Sequence, residues 1–180
     1  MRAIPAGSEL ELRPVRLEDA ETFYCAVERN RERLRRWLPW VTPEYCLEDM
    51  RRFLEGKTAE NRAGAGLTMG IWSWDTLCGA IGLHPFDMRH RSSSIGYWVD
   101  CRHEGRGIVT QACRAIVSEA FLEYGLHRIE IRCAIGNERS ASIAKRLRFV
   151  HEGVLRDAEW LHDHWVDLNV YSMLEHNWAP

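Results

Sequence analysis

The sequence predicts a layered domain of the mixed α+β (α/β) class, in which helices pack on one sheet. Segments with two-residue apolar alternation interleave with segments of helical spacing along all 180 residues. No repeat, low-complexity tract or linker separates them, so one domain spanning residues 1–180 is expected. A composition of 46% hydrophobic and 28% charged residues suits a chain that buries roughly two thirds of its unfolded surface.

In "ELELRPV", Leu10 and Leu12 alternate before Pro14, which predicts a short first strand. The stretch "RLEDAETFYCAVERNRERLRRWLPW" carries Ala20, Phe23, Val27, Leu34 and Leu38 at helical spacing, and Pro39 ends it. A second helix is expected from Pro43 to the glycines Gly64 and Gly66, with Leu47, Met50, Phe53 and Leu54 on one face. "LTMGIWSW" and "LCGAIGLHPF" around Asp75 and Thr76 read as a hairpin, and "SIGYWVD" as its third strand with apolar groups on both faces. The helix that follows carries Ile108, Ala112, Ala115, Val117, Ala120 and Phe121, and Gly125 stops it. "HRIEIRCAI" alternates as a strand that turns Ile129, Ile131, Cys133 and Ile135 to one side. Asn137 opens a helix with Ile143, Ala144 and Leu147 as its buried stripe. Two strands, 150–160 and 165–173, close the chain around "LHDH".

Charge and composition narrow the function. A net charge of -2 gives no footprint for nucleic acid, so no direct nucleic-acid partner is expected. The first residues lack an apolar leader core, and no run approaches the ~20 apolar residues of a membrane helix. The expectation is a cytoplasmic protein with no membrane partner. Six scattered cysteines without a CxxC pair read as reduced thiols, mostly in the core. His162 and His164 form the one close histidine pair, and without a third ligand they read as polar surface, so no metal is expected.

"RHEGRGIVTQA", from Arg102 to Ala112, places Gly105 and Gly107 between a strand and a helix. A helix N-terminus there presents unpaired N–H groups and the positive end of a dipole, which suits phosphate. A Walker loop would need Lys-Ser or Lys-Thr after the glycines, and none follows. The dinucleotide fingerprint would need glycine or alanine where Thr110 stands. A plain tight turn remains the alternative, but Arg102 and Arg106 add positive charge to the loop.

Residues 102–107 resemble the R/Q-x-x-G-x-G/A motif of the Gcn5-related N-acetyltransferases (GNAT). "SIGYWVDCRHEGRGIVTQA", "IEIRCAIGNERSASIAKRLRF", "EGVLRDAEWLHDHWVDLNVYSML" and "LRRWLPWV" look like its RimL-like and RimJ-like ribosomal-protein subgroup, over nearly the whole chain. The resemblance implies a mixed sheet of about seven strands whose splayed middle pair, here 97–99 and 128–135, holds acetyl-coenzyme A. Backbone groups of Trp98 and Val99 would bond the pantetheine arm like an added strand. Arg102, Gly105, Arg106, Gly107, Ile108, Val109 and Thr110 would form the pyrophosphate loop, and Asn137 would reach the cofactor arm.

The same resemblance implies direct attack of a neutral amine on the thioester, with Glu159 as general base and Ser140 as the group that protonates the departing thiolate. An α-amine of pKa ~7.7–8 is roughly 10–20% neutral at pH 7, whereas a lysine near ~10.4 is under about 1% neutral, so a modest base serves the former. No tyrosine lies between Asn137 and Gly153, where many relatives place the acid. Leu155, Asp157 and Glu159 would share a strand face, and Asp157 beside Arg156 reads as a surface ion pair. Cys133 lies near the expected thioester and reads as a core thiol. Trp37 and Trp40 would wall the acceptor groove, or else pack in the core. Trp72, Trp74 and Trp98 read as packing, while Trp160 and Trp165 would contribute to a homodimer contact. The acceptor implied is a protein N-terminal amine, above all of a ribosomal protein. The alternatives are a small amine (polyamine, amino acid or amino sugar) and a catalytically silent acyl-CoA-binding module.

Overall fold

The computed structural model describes residues 1–179. The strands are β1 (Ile4–Pro5), β2 (Leu10–Pro14), β3 (Leu67–Ser73), β4 (Thr76–Leu83), β5 (Ser92–Val99), β6 (Arg128–Ala134), β7 (Val150–Leu161) and β8 (His164–Leu174). The helices are α1 (Ala20–Arg29), α2 (Arg31–Arg35), α3 (Leu47–Ala63), α4 (Ile108–Leu122) and α5 (Glu138–Arg146). Among the described residues one eight-stranded sheet forms, in the order β1-β2-β3-β4-β5-β6-β8-β7. Its neighbours pair antiparallel except β5 and β6. A parallel pair needs a crossover, and α4 supplies it.

Alternation along the strands sends apolar side chains to both faces. On one side Ile71, Ile81, Ile95, Ile129 and Ile131 meet the buried stripe of α4 (Ala112, Cys113, Ile116, Val117, Ala120) and Ala141 and Ala144 of α5. On the other, Trp72 and Leu77 meet Phe23, Val27, Met50 and Leu54 from α1 and α3, with Trp98 against them. Phe23 makes edge-on contacts with Trp72 and Trp98, each at 6.4 Å. No helix among the described residues is long and apolar enough to cross a membrane.

Several expectations are corrected. β1, a two-residue partner for β2, adds an eighth strand. The first predicted helix breaks at buried Asn30, whose amide donates to the Ala26 carbonyl at 2.8 Å and so competes with the helix. The second helix begins at Leu47 rather than Pro43, because Arg31 takes the carbonyls of Thr42 and Tyr45. Cys46 then caps it, its N–H donating to Asp49 at 2.9 Å. Phe53 and Ile135 are exposed, since Phe53 falls off the buried stripe of α3 and Ile135 lies past the last paired residue of β6. Trp74 sits at a turn with φ 51 and is 72% exposed, so it is not part of the core. Only Cys78, Cys113 and Cys133 of the six thiols are buried.

Candidate active site

The parallel pairing of β5 and β6 stops at Ile95 opposite Ile131, and beyond it the strands part. The alternation of backbone bonds then decides which groups face the gap. His84 N–H donates to Ser94 and Asp100 N–H donates to Cys78, so residues 94, 96, 98 and 100 turn their amides to β4. Tyr97 and Val99, rather than Trp98, present theirs to the gap. Arg33 already donates to the Val99 carbonyl.

At the end of β5 the chain enters the glycine turn over a rigid root. Asp100 is fully buried. Burial alone would push its carboxyl up, but the Arg102 N–H and the guanidinium groups of Arg29 and Arg102 hold it well below the usual range. The Arg102 charge therefore lies against Asp100 and not out over the turn. Asn30 adds a second tie, accepting from the Cys101 N–H at 2.9 Å and from Arg33 at 2.9 Å. The residue that breaks the first helix thus fastens it to the loop.

Gly105 and Gly107 have φ of 73° and 74°. No heavy atom would lie within 4 Å of a Cβ at Gly105, so backbone conformation and not crowding selects glycine there. Gly107 stands at the N-cap of α4 and brings no side-chain cap, and the first turn holds no acidic residue. The N–H groups of Ile108, Val109 and Thr110 are left without intrahelical acceptors, while the side chains of Ile108 and Val109 are buried beneath. Arg146 of α5 donates to Thr110 Oγ1 at 2.8 Å and brings a positive charge beside the turn. Glu104 is shared between Arg33 and Arg139, which joins α2 and α5 to the loop. Arg106 points instead into a cavity of about 330 Å³ with His103, Trp74 and Gln111.

Across the gap, a second cavity of about 380 Å³ is walled by Trp37, Gly136, Trp165, Val166 and Asp167. Trp37 lies 3.5 Å from where a Cβ on Gly136 would stand. Trp40 packs on Tyr45 at 5.3 Å and lies outside this wall. His162 Nε2 bonds the Arg35 carbonyl at 2.8 Å, mooring the last hairpin to the segment that carries Trp37. Glu159 pairs directly with Val166, and burial pushes its carboxyl up. A three-against-one bulge precedes it, so Leu155, Asp157 and Glu159 do not form the regular face expected. Asp157 makes no ion pair with Arg156 among the described residues; its N–H donates to Asp167 at 2.8 Å.

Ser140 sits in the first turn of α5, where its N–H donates to the side chain of Asn137 at 3.2 Å. Asn137 is therefore the cap of this helix. Sequence reasoning sought a tyrosine near Ser140 in the chain and missed Tyr97, whose hydroxyl lies 2.8 Å from Ser140 Oγ. Burial pushes the Tyr97 phenol up and keeps it protonated. Burial also raises the Cys133 thiol, opposed by its contact with Ser140.

Residues 9–150 match the family model of the acetyltransferase (GNAT) domain. YdaF of Bacillus subtilis (strain 168) is 33% identical over 96% of this chain and 94% of its own length. The ribosomal-protein-serine acetyltransferase of Escherichia coli (strain K12) is 30% identical over 95% of this chain and 96% of its own. Among solved structures, the RimL ribosomal L7/L12 alpha-N-protein acetyltransferase in complex with coenzyme A superposes with a TM-score of 0.92 at 25% identity, covering 96% of this chain and 98% of that one. A parallel pair that parts above a glycine-led helix, on a chain matched nearly end to end, places this protein in the GNAT family of N-acetyltransferases.

Proposed function

We propose that residues 1–180 form one N-acetyltransferase domain that moves the acetyl group of acetyl-coenzyme A to the N-terminal α-amine of a ribosomal protein. The observation that carries this reading is the parting of β5 from β6 directly before a turn whose first helical amides have no acceptor. That donor set fits a diphosphate: backbone N–H groups of residues 107–110 at a helix N-terminus, with Arg146 alongside. Gly105 and Gly107 let the backbone approach, and Ile108 and Val109 hold the turn through their buried side chains. The backbone edge at Tyr97 and the Val99 N–H suit the amides of an extended arm, while Arg33 occupies the Val99 carbonyl. Arg102 serves by fixing Asp100, and Asn137 by starting α5.

When bound, acetyl-coenzyme A supplies a thioester carbonyl. Glu159 takes the proton that the amine loses as the new N–C bond forms, and Ser140 returns a proton to the thiolate as the C–S bond breaks. Burial raises the Glu159 carboxyl and makes it a stronger proton acceptor than an ordinary glutamate. Tyr97 supports the role of Ser140: with its hydroxyl 2.8 Å from Ser140 Oγ, we assign the phenol as donor, which leaves the serine hydrogen free to be given. Trp37 offers an aromatic wall for the acceptor chain, whereas Trp40 backs the loop that carries it.

The exposed outer edge of β7, with Val150, Val154, Leu155 and Trp160, suits contact with a second copy, since a long unpaired edge invites pairing. We place the reaction in the cytoplasm, where ribosomal proteins are made. Mass spectrometry of ribosomal proteins from cells with and without this gene tests the acceptor. The proposal expects one or more N-termini to lose their acetyl group in the deletion. Unchanged N-termini together with acetylation of a polyamine in vitro would assign a small amine instead.

A further inference from the structure

β7 contains two rival carboxylates, Asp157 and Glu159, and the register of the last hairpin decides which one pairs with Val166 of the cavity wall. Pairing is regular at Leu155 with Leu168, and again at Glu159 with Val166. Between these pairs Arg156, Asp157 and Ala158 stand against Asp167 alone. Without the two extra residues, Asp157 would lie opposite Val166 and Glu159 would move toward the hairpin tip.

The bulge has an uncommon backbone. Asp157 has φ 47, a left-handed conformation uncommon for a residue with a Cβ, though aspartate tolerates it better than most. A contact that holds it is visible: Asp167 Oδ1 accepts the Asp157 N–H at 2.8 Å. The backbone carbonyl of Asp167 accepts from the Ile135 N–H at 3.1 Å, at the end of β6 where the gap opens. Asp167 also forms part of the cavity wall with Trp37 and Val166. One residue therefore ties the bulge of β7 to the end of β6 and to the acceptor pocket.

From this geometry we infer that Asp167 is a positioning residue, whose carboxylate pins the β7 bulge and so sets Glu159, not Asp157, opposite Val166. The inference rests on the reading of Glu159 as the base, and the test separates the two. In the full-length protein, Asp167→Ala removes the acceptor for the Asp157 N–H, while Asp167→Asn keeps a carbonyl oxygen there. Three quantities are measured: hydrogen exchange of the Asp157 amide, kcat with an N-terminal peptide, and the Kd for acetyl-coenzyme A.

Asp167→Ala is expected to speed exchange at Asp157 and to lower kcat by about tenfold with Kd unchanged, and Asp167→Asn to restore both to within about threefold of the parent. In a Glu159→Gln background the alanine substitution should produce no further fall in kcat. Unchanged Asp157 exchange in Asp167→Ala would overturn the inference. So would a loss of thermal stability with kcat intact, or an asparagine variant as impaired as alanine. If Glu159→Gln itself leaves kcat unchanged, the base assignment fails while the exchange result still judges the bulge.

Discussion

The two sides of the gap between β5 and β6 are built in opposite ways. The donor side is nearly one continuous stretch, from Ile95 through the glycine turn to Thr110, fixed from below by Asp100 and Asn30. The side where we place the acceptor is assembled from Trp37 after α2, Gly136 after β6, and Asp167 and Val166 on the last hairpin, with Glu159 paired to Val166. A continuous turn can keep its geometry while the rest of the chain changes, because φ and the helix N-terminus are local properties. An assembled pocket changes shape when any contributing segment shifts. On this view the donor belongs to the family and the acceptor to the individual protein.

The largest expected effect breaks the donor side alone. Gly107→Trp forces a side chain onto φ 74 at the mouth of α4 and should weaken acetyl-coenzyme A binding at least about 100-fold by calorimetry. Next, Glu159→Gln should lower kcat by about 100-fold and leave cofactor Kd within about twofold.

The raised carboxyl of Glu159 also predicts two pH effects of opposite sign. A base must be ionised, so kcat/KM should fall as pH drops through the raised pKa, at a higher pH than an ordinary glutamate would give. The folded state holds this proton more tightly than the unfolded chain, so the stability it lends is full below the unfolded pKa and is lost as pH rises through the folded one. Glu159→Gln should therefore melt no lower than the parent at neutral pH, with any gain shrinking in acid. Thermal melts across pH check this.

Smaller effects sharpen the contrast. Trp37→Ala should raise the acceptor KM about tenfold, or ~1.4 kcal/mol, and leave the cofactor Kd unchanged in the same titration. Smallest of all, Ser140→Ala should lower kcat by about threefold, because a thiolate leaves readily without help. Tyr97→Phe should do the same, and the double variant should be no worse than either alone, since the two hydroxyls act through one hydrogen bond.

This contrast also explains what could be read before the structure. The glycine turn, the α4 stripe and the Asn137 cap are short-range patterns, and each lies where periodicity and spacing put it. The break at Asn30 depends on partners at Ala26 and at Cys101, the latter 71 residues away, and helical spacing continues through it. Tyr97 meets Ser140 across 43 residues, so a search along α5 for a phenol could not find it. Strict alternation misplaces Asp157 and Glu159 because it counts every residue, whereas the bulge fixed by Asp167 removes two from the count. Arg102 carries charge next to the turn in sequence, yet buried Asp100 claims it in space.

The most direct test locates the product. Purified protein is mixed with acetyl-coenzyme A and a peptide that carries both a free N-terminus and an internal lysine, and the acetylated atom is assigned by fragment mass spectrometry. The account predicts acetyl on the N-terminal α-amine with the parent protein and a product yield near background with Glu159→Gln. Acetyl found only on the lysine, or equal yield from both proteins, would contradict it.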